Sequence, residues 1–320
     1  MSFRILLFSL VFSAAAIRAA DLFLAETTSP LVPKPVPYAV LLPDGFKEST
    51  GSLPLLIVLH GGGEDREALV RLRPIFEELW KSKRLSPMIV TMPSTTQRGF
   101  YMNTKDGREK WEDFLIGPYR ELMQKTYRAS ANPKENFMSG ISMGGMGTLR
   151  IGFKHPEMFG GIAALEAGIE PILHWKDMRP RDRWWRADDL FEAAFGKPVD
   201  PAYWEANNPA SIAQANPQRL IRSGMQIYVD AADHDMFFLY EGNEFLHRVL
   251  YDNHIEHEYH LVHGADHVGR TVSVRFRGAM DFIERALHPP GEDPVVTAAR
   301  QRLKPLKTRV GIVDPYDPKP

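Results

Sequence analysis

The sequence predicts an α/β fold, a mainly parallel central sheet with helices on both faces. Three observations lead there. Short apolar strand-like runs alternate along the chain with amphipathic helical stretches. A G-x-S-x-G pentapeptide joins one of those strands directly to a helix. A histidine followed by three glycines closes another strand.

The elements follow in order. Val36–Leu42 and Leu55–Leu59 read as strands, the first broken by Pro43-Asp44-Gly45. Residues 65–81 carry helical spacing at Leu69, Leu72, Ile75, Phe76 and Leu79. Residues 88–92 form a short apolar strand. Residues 110–127 read as one helix with Trp111, Phe114, Leu115, Tyr119, Leu122 and Met123 on one side. A brief strand over 136–140 runs into a helix over Met143–Lys154. Gly161–Leu165 and residues 225–229 are strands. A helix over 237–251, a strand over Glu258–Val262 and a last helix over 268–287 complete the unit.

Two regions break this rhythm. Residues 171–222 hold Trp175, Trp184, Trp185, Tyr203 and Trp204 among several prolines, and read as a lid-like insertion with short helices or as an excursion packed by its own aromatics. The tail from 289 to 320 is Pro-rich and weakly apolar, expected to wrap the body or to lack order.

The chain opens with Arg4, an apolar run from Ile5 to Ile17, and small residues around Ala16 and Ala20. This is the pattern of a secretory signal peptide over residues 1–20, cut after Ala16 or Ala20. The run is shorter than the ~20 residues of a membrane span. Export to the periplasm or the medium is the expectation, with residues 21–288 as the folded domain. The chain has no cysteine, so neither a disulfide framework nor a thiol nucleophile is available. Without Arg4 and Arg18 the balance is 37 basic to 40 acidic residues. That balance argues against nucleic acid or an anionic membrane as the main partner.

The pentapeptide Gly140-Ile141-Ser142-Met143-Gly144 is the strongest chemical signal. A serine on a sharp strand-to-helix turn presents its hydroxyl above the sheet, and the flanking glycines let the turn pack closely. This context predicts the α/β-hydrolase fold, with Ser142 as nucleophile. His60-Gly61-Gly62-Gly63 after the strand Leu55–Leu59 supplies an oxyanion loop. Gly61 or Gly62 would give one amide and Met143 the second. A phosphate-binding reading of this loop fails for want of the Lys-Ser/Thr ending.

In this fold the acid precedes the base. Asp230, Asp233 and Asp235 compete after the strand over 225–229. Asp230 ends the strand too early, and Asp235 leads with Asp233 as the alternative. His267, just before the last helix, is the leading base, and His263 the alternative. The histidines at 254, 257, 260 and 263 do not converge on a strand, where a period of three alternates faces, so no metal site is expected. No cofactor is expected either.

Together these motifs resemble the esterase D and carbohydrate esterase family one branch of the α/β-hydrolases. The stretches that carry the resemblance are 38–46, His60–Gly63, Trp111-Glu112-Asp113-Phe114, 139–147, 155–161 and Gly264-Ala265-Asp266-His267. The resemblance spans roughly residues 37–287. It implies a nucleophile at Ser142, a base at His267 and an acid at Asp235, ahead of Met236-Phe237. Two features depart from the family pattern. Glu166 stands where similar proteins usually show a small residue such as Ser, and the insertion 171–222 matches no one subfamily.

The expected activity is hydrolysis of a carboxylic ester through an acyl-enzyme, on a small-molecule or carbohydrate-linked substrate such as an acylated polysaccharide or a phenolic ester. Rival readings are a prolyl-oligopeptidase-like peptidase, which the lack of a preceding propeller weakens, and a non-catalytic binding protein on the same fold.

Overall fold

A computed structural model of the chain describes residues 20–96 and 100–312. The expected signal segment, apart from Ala20, lies outside the described residues. Among the described residues eight strands form one sheet: β1 (Asp21–Thr27), β2 (Val36–Leu42), β3 (Leu55–Leu59), β4 (Ile89–Pro93), β5 (Asn136–Ile141), β6 (Gly161–Leu165), β7 (Gln226–Ala232) and β8 (Glu258–Val262). Their order is β1-β2-β4-β3-β5-β6-β7-β8. β2 pairs antiparallel with both β1 and β4, and every other pair is parallel. This is the α/β-hydrolase fold.

Register explains why β3 reads as one unbroken apolar run. Leu55, Ile57 and Leu59 face one core, and Leu56 and Val58 face the other. A parallel strand covered on both sides has no polar face to show. The helix Met143–Lys154 packs on the first face with Met146 and Leu149. The helices Glu67–Lys81 and Arg270–Leu287 close the second with Phe76, Leu79, Phe276 and Met280. Among the described residues no helix is long and apolar enough to cross a membrane.

Four sequence expectations change. β1 was not anticipated: it is an edge strand with Phe23 and Leu24 exposed, so it lacks a clean inward-outward alternation. β7 continues to Ala232, which puts Asp230 inside the strand, fully buried. The helix expected over 110–127 is interrupted: Trp111–Phe114 passes through a π-turn at Leu115–Tyr119 before Arg120–Tyr127. Pro118 sits in that turn and has no N–H to continue the ladder. The tail contains a helix, Pro294–Arg309, started by Asp293, whose carboxylate accepts from the Val295 N–H at 2.8 Å. None of its residues is buried. Prolines on both sides hid its interior from a compositional reading.

The insertion is built of short helical pieces, many opened by proline at their first position, where the missing N–H costs nothing. Trp175 packs against both Phe191 and Trp204, with ring centroids 5.5 and 5.7 Å away. Two buried arginines tie it to the body. Arg150 donates to the carbonyls of Phe100 and Asn207, and Arg186 pairs with Glu170 at 2.5 Å and donates to the Gly168 carbonyl.

Candidate active site

The loops at the carboxyl ends of β3, β5, β6, β7 and β8 meet at one edge of the sheet, where α/β proteins place their sites. The loop after β5 holds Ser142 at φ 58°, ψ −116°, a conformation L residues rarely adopt. Three backbone hydrogen bonds hold it there. The Ser142 N–H donates to Leu165 O at 2.9 Å, and the Ser142 carbonyl accepts from Met146 and Gly168 N–H at 3.0 Å. Strain of this kind costs about 1–3 kcal/mol and persists only when the surroundings over-determine it.

The glycines of the turn do what the sequence asked of them. A Cβ on Gly144 would lie 2.0 Å from Leu59 O, and one on Gly140 2.4 Å from Gly144 O. The turn therefore sits directly on the backbone of β3. Met143 opens the helix behind it, so its N–H belongs to the first turn, which lacks intrahelical acceptors.

Gly61 comes close to the serine: a Cβ built on it would be 3.8 Å from Ser142 Cβ. The buried His60 ring fixes this loop. Its Nε2 accepts from the Thr95 N–H at 3.0 Å, so Nδ1 carries the proton and donates to Gly61 O at 2.8 Å. Burial lowers the pKa of His60, which favours this neutral ring. Because a trans peptide sets its C=O and N–H on opposite sides, holding the Gly61 carbonyl also aims the Gly62 N–H. The sequence reading gave His60 no such task. Its position at the head of the glycine run was the only signal.

Asp235 and His267 are brought together. Asp235 Oδ2 accepts from His267 Nδ1 at 2.7 Å, and Asp235 Oδ1 accepts from the Phe237 N–H at 2.7 Å. Nδ1 thus carries the proton and Nε2 is left as the basic nitrogen. Burial pushes the Asp235 carboxyl up, but the contacts with His267 and Glu166 outweigh it and hold it at about 2. Asp266 clips the two loops together, its Oδ1 accepting from the N–H groups of Met236 at 3.0 Å and His267 at 2.6 Å. Phe237 meets the imidazole edge-on at 4.7 Å.

The alternatives pair with each other elsewhere. His263 Nδ1 is 2.7 Å from Asp233 Oδ2, and the His263 side chain is 93% exposed. Asp230 is buried within β7, its Oδ1 3.8 Å from Arg275 Nη1. Ser142, Gly61, Gly62 and His267 line one cavity of about 430 Å³, whose walls include the apolar Leu72, Met92, Val272 and Phe276. A larger hollow of about 630 Å³, bordered by His155, His174 and Arg219, lies apart from these residues.

Glu166, the first residue after β6, is wholly buried at φ 46°. One ligand-type atom each from Glu166, Asp235 and His267 lie within 4.8 Å of one another. Within this group His267 Nδ1 and Asp235 Oδ2 are hydrogen-bonded at 2.7 Å.

A family model described as "Putative esterase" matches residues 29–280. The chain belongs to this esterase family. Curated relatives include Esterase Rv1288 of Mycobacterium tuberculosis, 29% identical over 148 residues, which are 43% of this chain and 32% of that protein. The endo-1,4-beta-xylanase/feruloyl esterase of Xylanibacter ruminicola is 30% identical over 138 residues, 40% of this chain and 19% of that one. The matches thus span about a third or less of these relatives' length. Among solved structures, a ferulic acid esterase superposes with a TM-score of 0.69 at 20% identity, covering 84% of this chain and all of that one. An S-formylglutathione hydrolase from Agrobacterium tumefaciens gives 0.68 at 16% identity, with 84% and 96% covered. At these identities the likeness is one of fold. It fits a family member with the sheet order and strand-to-helix turn described above.

Proposed function

We propose that the protein is a secreted serine carboxylic-ester hydrolase acting through an acyl-enzyme, with Ser142, His267 and Asp235 as its triad. The observation that carries this reading is the pairing of a strained serine turn with an imidazole oriented at 2.7 Å by a buried carboxylate, both serine and imidazole lining one cavity.

The chemistry follows from the geometry. Ser142 Oγ attacks the ester carbonyl carbon while His267 Nε2 takes its proton. Amides of Gly61 or Gly62 and of Met143 hold the oxygen that becomes negative, each such donor contributing about 3 kcal/mol in the transition state. The imidazolium, stabilised by Asp235, returns the proton to the leaving alcohol. Water then gives a proton to His267 and attacks the acyl carbon; the bond to Ser142 Oγ breaks, His267 returns that proton to Oγ, and the acid leaves.

The cavity walls suit an apolar acyl or aryl group. Trp184 lies beside Phe237 at 6.2 Å, and Phe237 touches the imidazole, so an aromatic surface leads from solvent to the base. This favours a phenolic or ring-bearing ester, in keeping with the names of the feruloyl and ferulic acid esterases to which the chain is similar.

The test is hydrolysis of p-nitrophenyl and feruloyl esters with fluorophosphonate labelling alongside. Wild type should turn over and label, and Ser142→Ala should do neither, its rate lower by about 10⁶. Undiminished turnover in Ser142→Ala would refute the assignment.

A further inference from the structure

We propose that Glu166 is a positioning residue of this site, a neutral carboxylic acid that donates a hydrogen bond to the Asp235 carboxylate and fixes it toward His267. The inference builds on the triad reading above, but its central test needs no turnover.

Two oxygens of one carboxyl have different surroundings. Glu166 Oε1 accepts from the Ala232 N–H and from Arg275 Nη1. Glu166 Oε2 is buried with no donor directed at it among the described residues. The Glu166 carboxyl lies beside another carboxylate, Asp235, one oxygen of each within 4.8 Å, and Asp235 is itself bound to the His267 ring. Two facing carboxylates with no donor between them repel in a buried site. A proton on Oε2 turns that repulsion into a hydrogen bond.

The charged and titratable groups around the site are these. From β7 come Asp230 and Tyr228, from the loop beyond it Asp235, from β8 His260 and Tyr259, from the loop after β8 His267, from the helix Leu239–Asp252 Glu244 beside Tyr259, and from the helix Arg270–Leu287 Arg275. If Glu166, Asp230 and Asp235 were all ionised, three buried carboxylates would share one guanidinium. With Glu166 neutral, Arg275 offsets Asp230, and Asp235 keeps its charge for the imidazolium that forms during turnover. Arg275 reaches both groups, bonding Glu166 Oε1 and lying 3.8 Å from Asp230 Oδ1, but the Glu166 carboxyl also lies against the Asp235 carboxylate. Burial and the Asp235 contact push Glu166 up to about 9, while burial moves Asp230 only to about 6 against the pull of Arg275.

The turn supports the same role. The Glu166 N–H donates to Asp230 O at 3.0 Å, which anchors the backbone at a positive φ. The segment just beyond it reaches the nucleophile through the Gly168 N–H on the Ser142 carbonyl. Glu166 therefore lies between the two halves of the site, and a small residue there would leave the far side of Asp235 without a donor.

Glu166→Gln keeps the shape, offers a permanent N–H donor to Asp235 and keeps an acceptor for Arg275. An acid whose folded pKa is raised stays protonated in the fold while the unfolded chain releases its proton. Wild type should therefore lose stability relative to Glu166→Gln as pH rises from about 5 to about 8.5. Chemical unfolding of both proteins across that range reads the difference directly. For activity, Glu166→Gln should retain kcat/KM within about threefold with the acidic limb of its pH profile in place. Glu166→Leu should lower kcat about tenfold with little change in KM.

An ionised Glu166 serving only as the partner of Arg275 gives the opposite result. Glu166→Gln would then be less stable than wild type throughout, and its acidic limb would move to lower pH as a nearby negative charge is lost. Either outcome overturns the proposal. Should Glu166→Leu not fold, the stability comparison decides alone. Repeating it in Ser142→Ala separates failure of this inference from failure of the triad reading.

Discussion

The geometry of the proposed triad assigns unequal weights to neighbouring aspartates. Asp233 and Asp235 are two residues apart, yet one joins an exposed rim pair and the other a buried pair beside the serine. Asp235→Asn should cut kcat/KM by about 10⁴, because an amide that donates to Nδ1 forces the wrong imidazole tautomer. Asp233→Asn should change it by about twofold at most, its His263 partner being on the surface. Steady-state rates on a p-nitrophenyl ester compare the two. Asp235 also contributes to acid stability. Its folded carboxyl lies at about 2, below the ordinary ~3.9, so its share is complete above the higher value and fades as pH falls toward the lower. At this scale the sequence was legible where chain order constrained it: Asp235 and His267, chosen by their places after successive strands, are hydrogen-bonded to each other. It gave the His60 ring no task and marked Glu166 only as a departure from the family pattern. Their tasks depend on Thr95, Gly61, Ala232 and Arg275, partners that spacing does not reveal.

The strand-to-helix turn was the most readable element because its requirement is steric and local. Gly144 has no room for a methyl group against Leu59 O, so Gly144→Ala must displace either the turn or β3. Destabilisation of about 3 kcal/mol is expected, with activity falling further than the folded fraction, measured by urea unfolding and by the rate per folded molecule. The helix expected over 110–127 shows the contrary case. Its apolar side was read correctly, yet a single proline converts its middle into a π-turn that leaves the buried face in place. Periodicity reports which face is covered more faithfully than it reports the hydrogen-bond ladder. The insertion 171–222 was legible only as a departure, since its short helices depend on Arg150 and Arg186, fixed by carbonyls distant in sequence.

At the scale of the whole molecule, two apolar cores on opposite faces of one sheet account for the fold. The apolar strand runs announced both, since a covered parallel sheet has little else to be made of. The edge strand β1 and the helix Pro294–Arg309 escaped notice because each buries little. The helix contributes no buried residue, so removing residues 289–320 should move the melting temperature by about 2 °C or less and leave the Michaelis parameters in place. Differential scanning calorimetry and ester kinetics on the shortened chain check this.

The seat of Ser142 is made of main-chain oxygens, Leu59 O beneath Gly144 and Gly144 O beneath Gly140. Side chains that collide can be traded for smaller ones, but a carbonyl is present whichever amino acid carries it. A selection for revertants of a lesion at Gly144 should therefore yield true reversion to glycine, with no suppressor at a second position. The rest of the cavity wall, lined by exchangeable apolar groups, stays open to drift toward new esters.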